Sequence, residues 1–313
     1  MTLLLTPKSH ADWLAMRAAD VTSTEVAALF GDSPYLTRFE LWHAKRGTLQ
    51  REFEATERMK WGTRLEPAIA AGIAEDQGWT VKPLKVYARH ATVERMGSSF
   101  DFEVDTGDGR RGILEIKNVD WLVFKNEWGD GTEAPVHIEW QVQHQLEVMA
   151  AEGYEFAYIC ALVGGNEAKL IYRERDPEVG HAIRAAVREF WRTVNANEEP
   201  APDFARDHGS IRKLYGHAEP GKVLDLRGTA GEGTELSALV AAYKAAGKAI
   251  ETAEAAKDAA RAQILTIIGD AEKVIHDEWS ISAGLVGPRT VSYTAEGYRS
   301  FRVTAKKAKA GAA

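Results

Sequence analysis

Apolar positions along this chain recur with two different periods, and the alternation between them outlines most of the elements. Residues 9–30 carry a helical period: Ser9 is placed to cap a helix holding Trp13, Leu14 and Met16, and Thr24 through Phe30 begins a second. A turn is expected over Gly31-Asp32-Ser33-Pro34-Tyr35. It is followed by a helix through Leu41, Trp42 and Ala44 that stops at Gly47. A longer helix is predicted over residues 57–76, with Ile69, Ala70 and Ile73 on its apolar face and Gly78 beyond its end. The period then drops to two, predicting strands over 81–87, 98–105 and 112–118. Residues 140–151 return to the helical period. A strand pair over 156–163 and 169–174 turns at Gly164-Gly165-Asn166, and a helix over 177–195 gathers Ile183, Val187, Phe190 and Trp191 on one side.

The texture changes at Glu198-Glu199-Pro200-Ala201-Pro202, and the stretch that follows is rich in Gly, Pro and charge. The expected organisation is therefore a first domain over 1–200, a linker or wrapping segment over 201–232, and a C-terminal arm over 233–313. Residues 236–268 form an alanine-rich helical stretch with acids and bases interleaved and no continuous apolar stripe. That pattern suits a helix hairpin or a partner-contacting arm better than an independent core. Short strands are expected over 280–285 and 290–293, and Lys306-Lys307-Ala308-Lys309 reads as a basic tail. No internal repeat is evident.

Composition adds little beyond exclusions. With 313 residues, 45% hydrophobic and 27% charged, the chain has the make-up of a soluble globular protein. A single cysteine, Cys160, excludes an internal disulfide framework or a multi-cysteine zinc site and fits a reducing, cytoplasmic setting. No run reaches the roughly 18 apolar residues of a membrane helix, and the N-terminus lacks the basic lead of a signal peptide. A net charge of −7 argues against indiscriminate coating of DNA, but phosphate binding needs only a local basic patch. The nine histidines show no metal-ligand spacing, Gly164-Gly165 is a hairpin turn, and no Walker lysine motif is present, so no nucleotide cofactor or ATP use is expected. Trp13, Trp61, Trp140 and Trp191 fall on helical apolar faces and are expected in the core.

The chemistry is concentrated in one hairpin. On the strand Leu114-Glu115-Ile116-Lys117-Asn118, Glu115 and Lys117 leave one face while Leu114 and Ile116 leave the other. The preceding strand alternates Phe100, Phe102 and Val104 against Ser99, Asp101, Glu103 and Asp105. A two-residue turn at Asp108-Gly109 would set Asp101 opposite Ile116, on the wrong face. An odd loop centred on Asp108, or a bulge, sets Asp101 opposite Glu115 and matches apolar face to apolar face. Carboxylates brought together in this way repel unless a cation lies between them, and oxygen ligands from Asp and Glu suit Mg²⁺ or Mn²⁺. A lysine alongside can orient or deprotonate an attacking water and offset charge developing on a phosphate. Read without further context, the same residues also describe an exposed polar sheet face with a Glu–Lys pair.

Several ordered strings settle the choice by resemblance. They are Trp13 to Arg17, Val21-Thr22-Ser23-Thr24-Glu25-Val26-Ala27-Ala28-Leu29-Phe30-Gly31, Ser33-Pro34-Tyr35, Met59-Lys60-Trp61-Gly62-Thr63-Arg64-Leu65-Glu66-Pro67, Ser99-Phe100-Asp101, Leu114-Glu115-Ile116-Lys117 and Trp140-Gln141-Val142-Gln143-His144-Gln145-Leu146. Over residues 12–200 the chain resembles the YqaJ family of viral recombinase nucleases, relatives of phage lambda exonuclease in the PD-(D/E)XK superfamily. Gly269-Asp270-Ala271-Glu272 and Arg299-Ser300-Phe301-Arg302-Val303 resemble tails of phage members. The resemblance implies an α/β fold, a PD-(D/E)XK core of mixed central β-sheet flanked by helices, with a helical C-terminal extension. It implies that Asp101, Glu115 and the Ile116 backbone carbonyl ligate Mg²⁺ (Mn²⁺ substituting), with Glu66 as an additional acid, Lys117 activating water and Gln141 beside the site; Glu103 and Asp105 are the alternatives to Asp101. Arg17, with Thr24 or Ser23, would hold a 5′ phosphate, and Met59 would be an apolar wedge at the terminal base pair. The implied activity is 5′-to-3′ exonuclease digestion of double-stranded DNA ends without ATP in phage-type recombination. The product would pass to a single-strand annealing protein, with a ring-shaped homo-oligomeric trimer as the assembly and no membrane; if phage-encoded, the protein would work in the bacterial host cytoplasm. The alternatives are a PD-(D/E)XK endonuclease and a non-catalytic DNA-binding recombination scaffold.

Overall fold

The computed structural model describes residues 1–49, 56–229, 231–294 and 297–304, and it divides into two compact units, Met1–Leu214 and Tyr215–Ala313. The first begins with β1 (Leu3–Leu5), α1 (His10–Ala19), β2 (Val21–Thr22), α2 (Ala27–Phe30) and α3 (Arg38–Arg46), then α4 (Glu57–Gln77). Ser9 caps α1 by accepting from the Asp12 amide, as its position before the apolar run predicts. Thr37 and Glu40 close a capping box on α3, and Gly47 ends it in the left-handed conformation. The second helix expected from Thr24 onward is confined to the four residues of α2, after a turn that follows β2.

Strands β3 (Thr80–Pro83), β4 (Tyr87–Arg89), β5 (Met96–Ser99), β6 (Phe102–Asp105) and β7 (Arg111–Val119) follow, then α5 (Trp121–Glu127) and α6 (Val136–Met149). The unit closes with β8 (Tyr154–Val163), β9 (Glu167–Glu174), α7 (Pro177–Ala196) and α8 (Phe204–Leu214). The main sheet has the order β3-β6-β7-β8-β9, in which only β7 and β8 run parallel; a smaller sheet has the order β1-β4-β5-β2. The segment 98–105, read as one strand, is thus two strands in two sheets. Because the chain breaks stride at Phe100 and Asp101, Phe100 packs into a different apolar cluster from Phe102 and Val104. The loop between β6 and β7 is odd: Phe102 faces Leu114, Glu103 faces Ile113 and Val104 faces Gly112.

The two faces of the main sheet bury separate cores. Leu114, Ile116, Phe102 and Phe156 pack with Ile69, Ala70 and Ile73 of α4, whereas Ile113, Val119, Ile159 and Val163 pack with Val142 and Leu146 of α6 and with Ile183 and Phe190 of α7. Gly112 is needed by this packing, because a Cβ there would overlap the ring of Phe156. Of the tryptophans expected in the core, Trp191 is buried but Trp61 is 52% exposed, with the Arg64 guanidinium over its ring.

Part of the stretch read as a linker is built into this unit. Helix α8 buries Asp207, which accepts from the Thr37 hydroxyl at 2.6 Å and from the Asp203 amide at 2.7 Å. The second unit consists of α9 (Glu232–Ile268) and a small antiparallel pair, β10 (Lys273–Ile275) and β11 (Ser280–Ser282). Helix α9 is one uninterrupted helix of 37 residues with no buried side chain, which replaces the hairpin alternative. No strand forms over 290–293, and the basic tail at Lys306-Lys307-Ala308-Lys309 lies outside the described residues.

Candidate active site

The odd register of β6 and β7 determines what happens where the pairing ends. Beyond the last pair, Phe102 with Leu114, the chain departs toward the smaller sheet, and the Ile116 amide donates to Asp101 Oδ2 at 2.8 Å. Asp101 is thereby anchored at the point where the two sheets part, beside Glu115. The other two acids of its alternating set are placed elsewhere. Glu103 is bound to Arg111 and to the Tyr154 hydroxyl, and Asp105 caps its own turn through the Gly107 amide.

Glu115 is only 3% exposed and makes three polar contacts. Its Oε1 accepts from Lys117 Nζ at 2.7 Å and from Gln141 Nε2 at 2.5 Å; its Oε2 accepts from Gln145 Nε2 at 2.8 Å. Gln141 also accepts from Lys117 at 3.1 Å. One turn apart on α6, the two glutamines reach the same carboxylate from the same helix face. Gln145 spans further, its amide also lying 3.3 Å from the Ser99 carbonyl, and its own side-chain oxygen is buried without a partner among the described residues. Its signal in the sequence was only its i+4 spacing from Gln141.

Electrostatically the cluster is short of positive charge. Asp101 is held well above the usual carboxylate range, first by burial and then by Glu115; Glu66, reached from α4, is raised by burial and again by Glu115. Burial alone would lower the Lys117 ammonium, but Glu115, Asp101 and Glu66 outweigh it and raise its pKa. Among the described residues one cation, Lys117, thus serves three carboxylates. Among the described residues no three His, Cys, Asp or Glu side chains close on one point, the Glu115 oxygens being taken up by the lysine and two amides.

A second constellation sits next to this one through Ser99. Arg17 donates to Ser99 Oγ at 3.2 Å and to Thr24 Oγ1 at 2.8 Å, and lies over the Trp13 ring. Thr24 is exposed, whereas Ser23 is buried and bonded to Ser98 Oγ at 2.9 Å, so the structure brings Arg17 to Thr24 and not to Ser23. Lys45, which no motif announced, is buried behind them and donates to the carbonyls of Arg17 and Asp20 and to Glu25. Met59 is 43% exposed in the first turn of α4, and no polar contact ties it to the carboxylates.

A mixed sheet with buried acids, a lysine and paired amides at the parting of its strands makes this an α/β protein with a candidate active site at that point. Residues 12–152 match the YqaJ-like viral recombinase domain. Among solved structures, an alkaline exonuclease from Laribacter hongkongensis (LHK-Exo), also determined in complex with dAMP, aligns at 23% identity and a TM-score of 0.49, over 64% of this chain and 99% of that one. A phage-related exonuclease from Haemophilus somnus 129PT aligns at 11% identity and a TM-score of 0.38, over 57% and 96% of the two chains. No curated protein matches. No helix among the described residues is long and apolar enough to cross a membrane.

Proposed function

We propose that this protein is an exodeoxyribonuclease that resects double-stranded DNA ends in the 5′-to-3′ direction, without ATP and with a divalent cation, in recombination of the phage type. The observation that carries the reading is the deficit of positive charge around Glu115, Asp101 and Glu66, inside a YqaJ-like domain. The two raised carboxyls make the site a fit for a hard cation, because oxygen donors held together against their own repulsion gain most from one. Asp101, Glu115, the Ile116 carbonyl and Glu66 would hold Mg²⁺, or Mn²⁺ in its place. When bound, such a cation would supply an acidified water and a polarised phosphodiester.

The chain's own residues do the rest. Gln141 and Gln145 hold the two oxygens of Glu115 and so orient the carboxylate; part of the Lys117 and amide contacts on Oε1 would give way to a cation. Lys117, kept charged by its acidic neighbours, orients the attacking water and offsets charge growing on the phosphate. Arg17 and Thr24 present a guanidinium fork and a hydroxyl to a terminal 5′ phosphate, and the exposed Met59 would part the end base pair. The exposed 3′ strand would then pass to a single-strand annealing protein, and the resemblance to lambda-type enzymes suggests a ring of three chains.

The test is digestion of linear duplexes carrying a 5′ phosphate or a 5′ hydroxyl, with and without Mg²⁺, beside closed circular DNA. Mg²⁺-dependent loss of linear duplex from 5′ ends, faster with phosphate, is expected. Cutting of closed circles would replace the reading with an endonuclease, and absence of Mg²⁺-dependent digestion on every substrate would leave a DNA-binding scaffold.

A further inference from the structure

Six of the large apolar side chains of α9 follow a seven-residue repeat, with Val240, Leu265 and Ile268 lying off it. Leu236, Tyr243, Ile250 and Ile264 share one heptad position, with Lys257 as its fourth member. Leu239 and Ile267 lie three residues on from that series, and Ala246, Ala253 and Ala260 complete the second. Heptad counting thus recovers a stripe that hydrophobicity alone does not show, because three of the five members of the second row are alanine. The six large residues are 43% to 83% exposed, and no side chain of α9 is buried; within its unit, the Phe301 ring against Tyr243 is the ring contact made to the stripe.

We infer that α9 pairs with α9 of a second copy of this chain, antiparallel, about a two-fold axis between Glu251 and Thr252. Antiparallel pairing sets each residue of one row against the other row. In this register Leu236 meets Ile267, Leu239 meets Ile264, Tyr243 meets Ala260, Lys257 meets Ala246 and Ile250 meets Ala253, each pair made twice. Bulky residues at the ends meet bulky ones, and every large residue of the middle meets an alanine, so no two large side chains of the middle compete for the same space.

Lys257 fixes the orientation. Parallel, in-register helices would place two lysines together in the seam and stack alanine on alanine beside tyrosine on tyrosine. The antiparallel register lays each lysine stem over Ala246 and Gly247 and lets the ammonium reach water. It also runs the helix dipoles in opposition. At ordinary side-chain sizes the six large residues expose on the order of 700 Å², near the ~800 Å² per partner of a standard interface. The proposal concerns the second unit alone and stands whether or not the first is a nuclease.

Disulfide trapping in the full chain tests it, since the native Cys160 is buried. Residues 239 and 264 lie about 37 Å apart along one helix, so they cannot bridge within a chain. The double variant Leu239→Cys with Ile264→Cys is expected to form a covalent dimer on mild oxidation, and an equimolar mixture of the two single variants to form a mixed dimer, while each single variant alone stays uncrosslinked. Ile250→Glu in the double-cysteine background should reduce trapping at least tenfold without altering the near-ultraviolet spectrum of the tryptophan-rich first unit. Crosslinking of either single variant alone would overturn the antiparallel register, and no crosslinking in the double variant would overturn self-pairing.

Discussion

Glu115 and Glu147 are both buried to 3% exposure and both belong to charged clusters of the first unit, yet their surroundings are opposite. Glu147 receives Arg184, Arg175 at 3.3 Å and His90 at 3.4 Å, and its pKa falls to about 2. Glu115 shares one lysine with Asp101 and Glu66, both of which are pushed up. The first cluster has cations to spare and serves to hold α6 and α7 together. The second lacks them among the described residues, and that imbalance is what the proposed cation would relieve. Burial of a carboxylate therefore does not mark function by itself; the sign of the local charge balance does.

The largest break in this comparison comes from paired glutamine substitutions. Glu115→Gln should lower DNA digestion by at least about 10³-fold while costing less stability than the Glu147 change, since the lost Lys117 contact is offset by removal of a charge that repels Asp101 and Glu66. Glu147→Gln should do the reverse, costing about 3 kcal/mol of stability by leaving Arg184 and Arg175 facing a neutral amide, with digestion per folded molecule near normal. Denaturant melts and digestion rates on the same preparations separate the two.

Next in size is Gly180, whose absent side chain leaves room for the Glu147 carboxylate. Gly180→Ala should destabilise by about 1–3 kcal/mol despite the better helix propensity of alanine, and the penalty should shrink in a Glu147→Ala background.

Acid then probes the same cluster. His144 is fully buried with both ring nitrogens unpartnered among the described residues, and burial brings its pKa down to about 3. Its folded pKa lies below the unfolded value of about 6.5. The unfolded chain therefore binds the extra proton, and stability is complete above pH 6.5 and falls as pH drops toward 3. Glu147 adds a further loss from about pH 4.5 down toward 2. Unfolding free energies at pH 7.5, 6 and 5 should fall with a His144 contribution approaching ~1.4 kcal/mol per pH unit, and His144→Leu should flatten the profile by that amount.

The smallest effect is expected at Arg17, where Arg17→Ala should cut the preference for 5′-phosphorylated ends about tenfold, the loss of one charge-assisted contact. An unchanged preference would detach this pocket from end recognition.

Where the pattern was periodic, the sequence was informative. The helix over 57–76, the β8–β9 hairpin and the odd register between β6 and β7 follow from apolar spacing alone, and that register is what puts Asp101 beside the β7 strand. What escaped was local departure from period. Phe100 looks like one more member of an alternating strand, but the chain changes sheets there. Asp207 lies in a Pro- and charge-rich stretch, and only its contact with Thr37 shows that the helix around it belongs to the first unit. Gln145 is marked only by its spacing from Gln141 and Lys45 carries no signature, because their work is to hold other groups in place. On α9 the alanines hid a heptad that only counting by seven reveals.

The central claim, that Glu115, Asp101 and Glu66 form a cation site and not a merely strained acidic cluster, is tested most directly by calorimetric titration of Mn²⁺ into the wild-type protein and into Asp101→Asn. Saturable binding to the wild type with at least a tenfold loss in the variant is the result the account predicts. Equal binding to both proteins, or none to either, would contradict it.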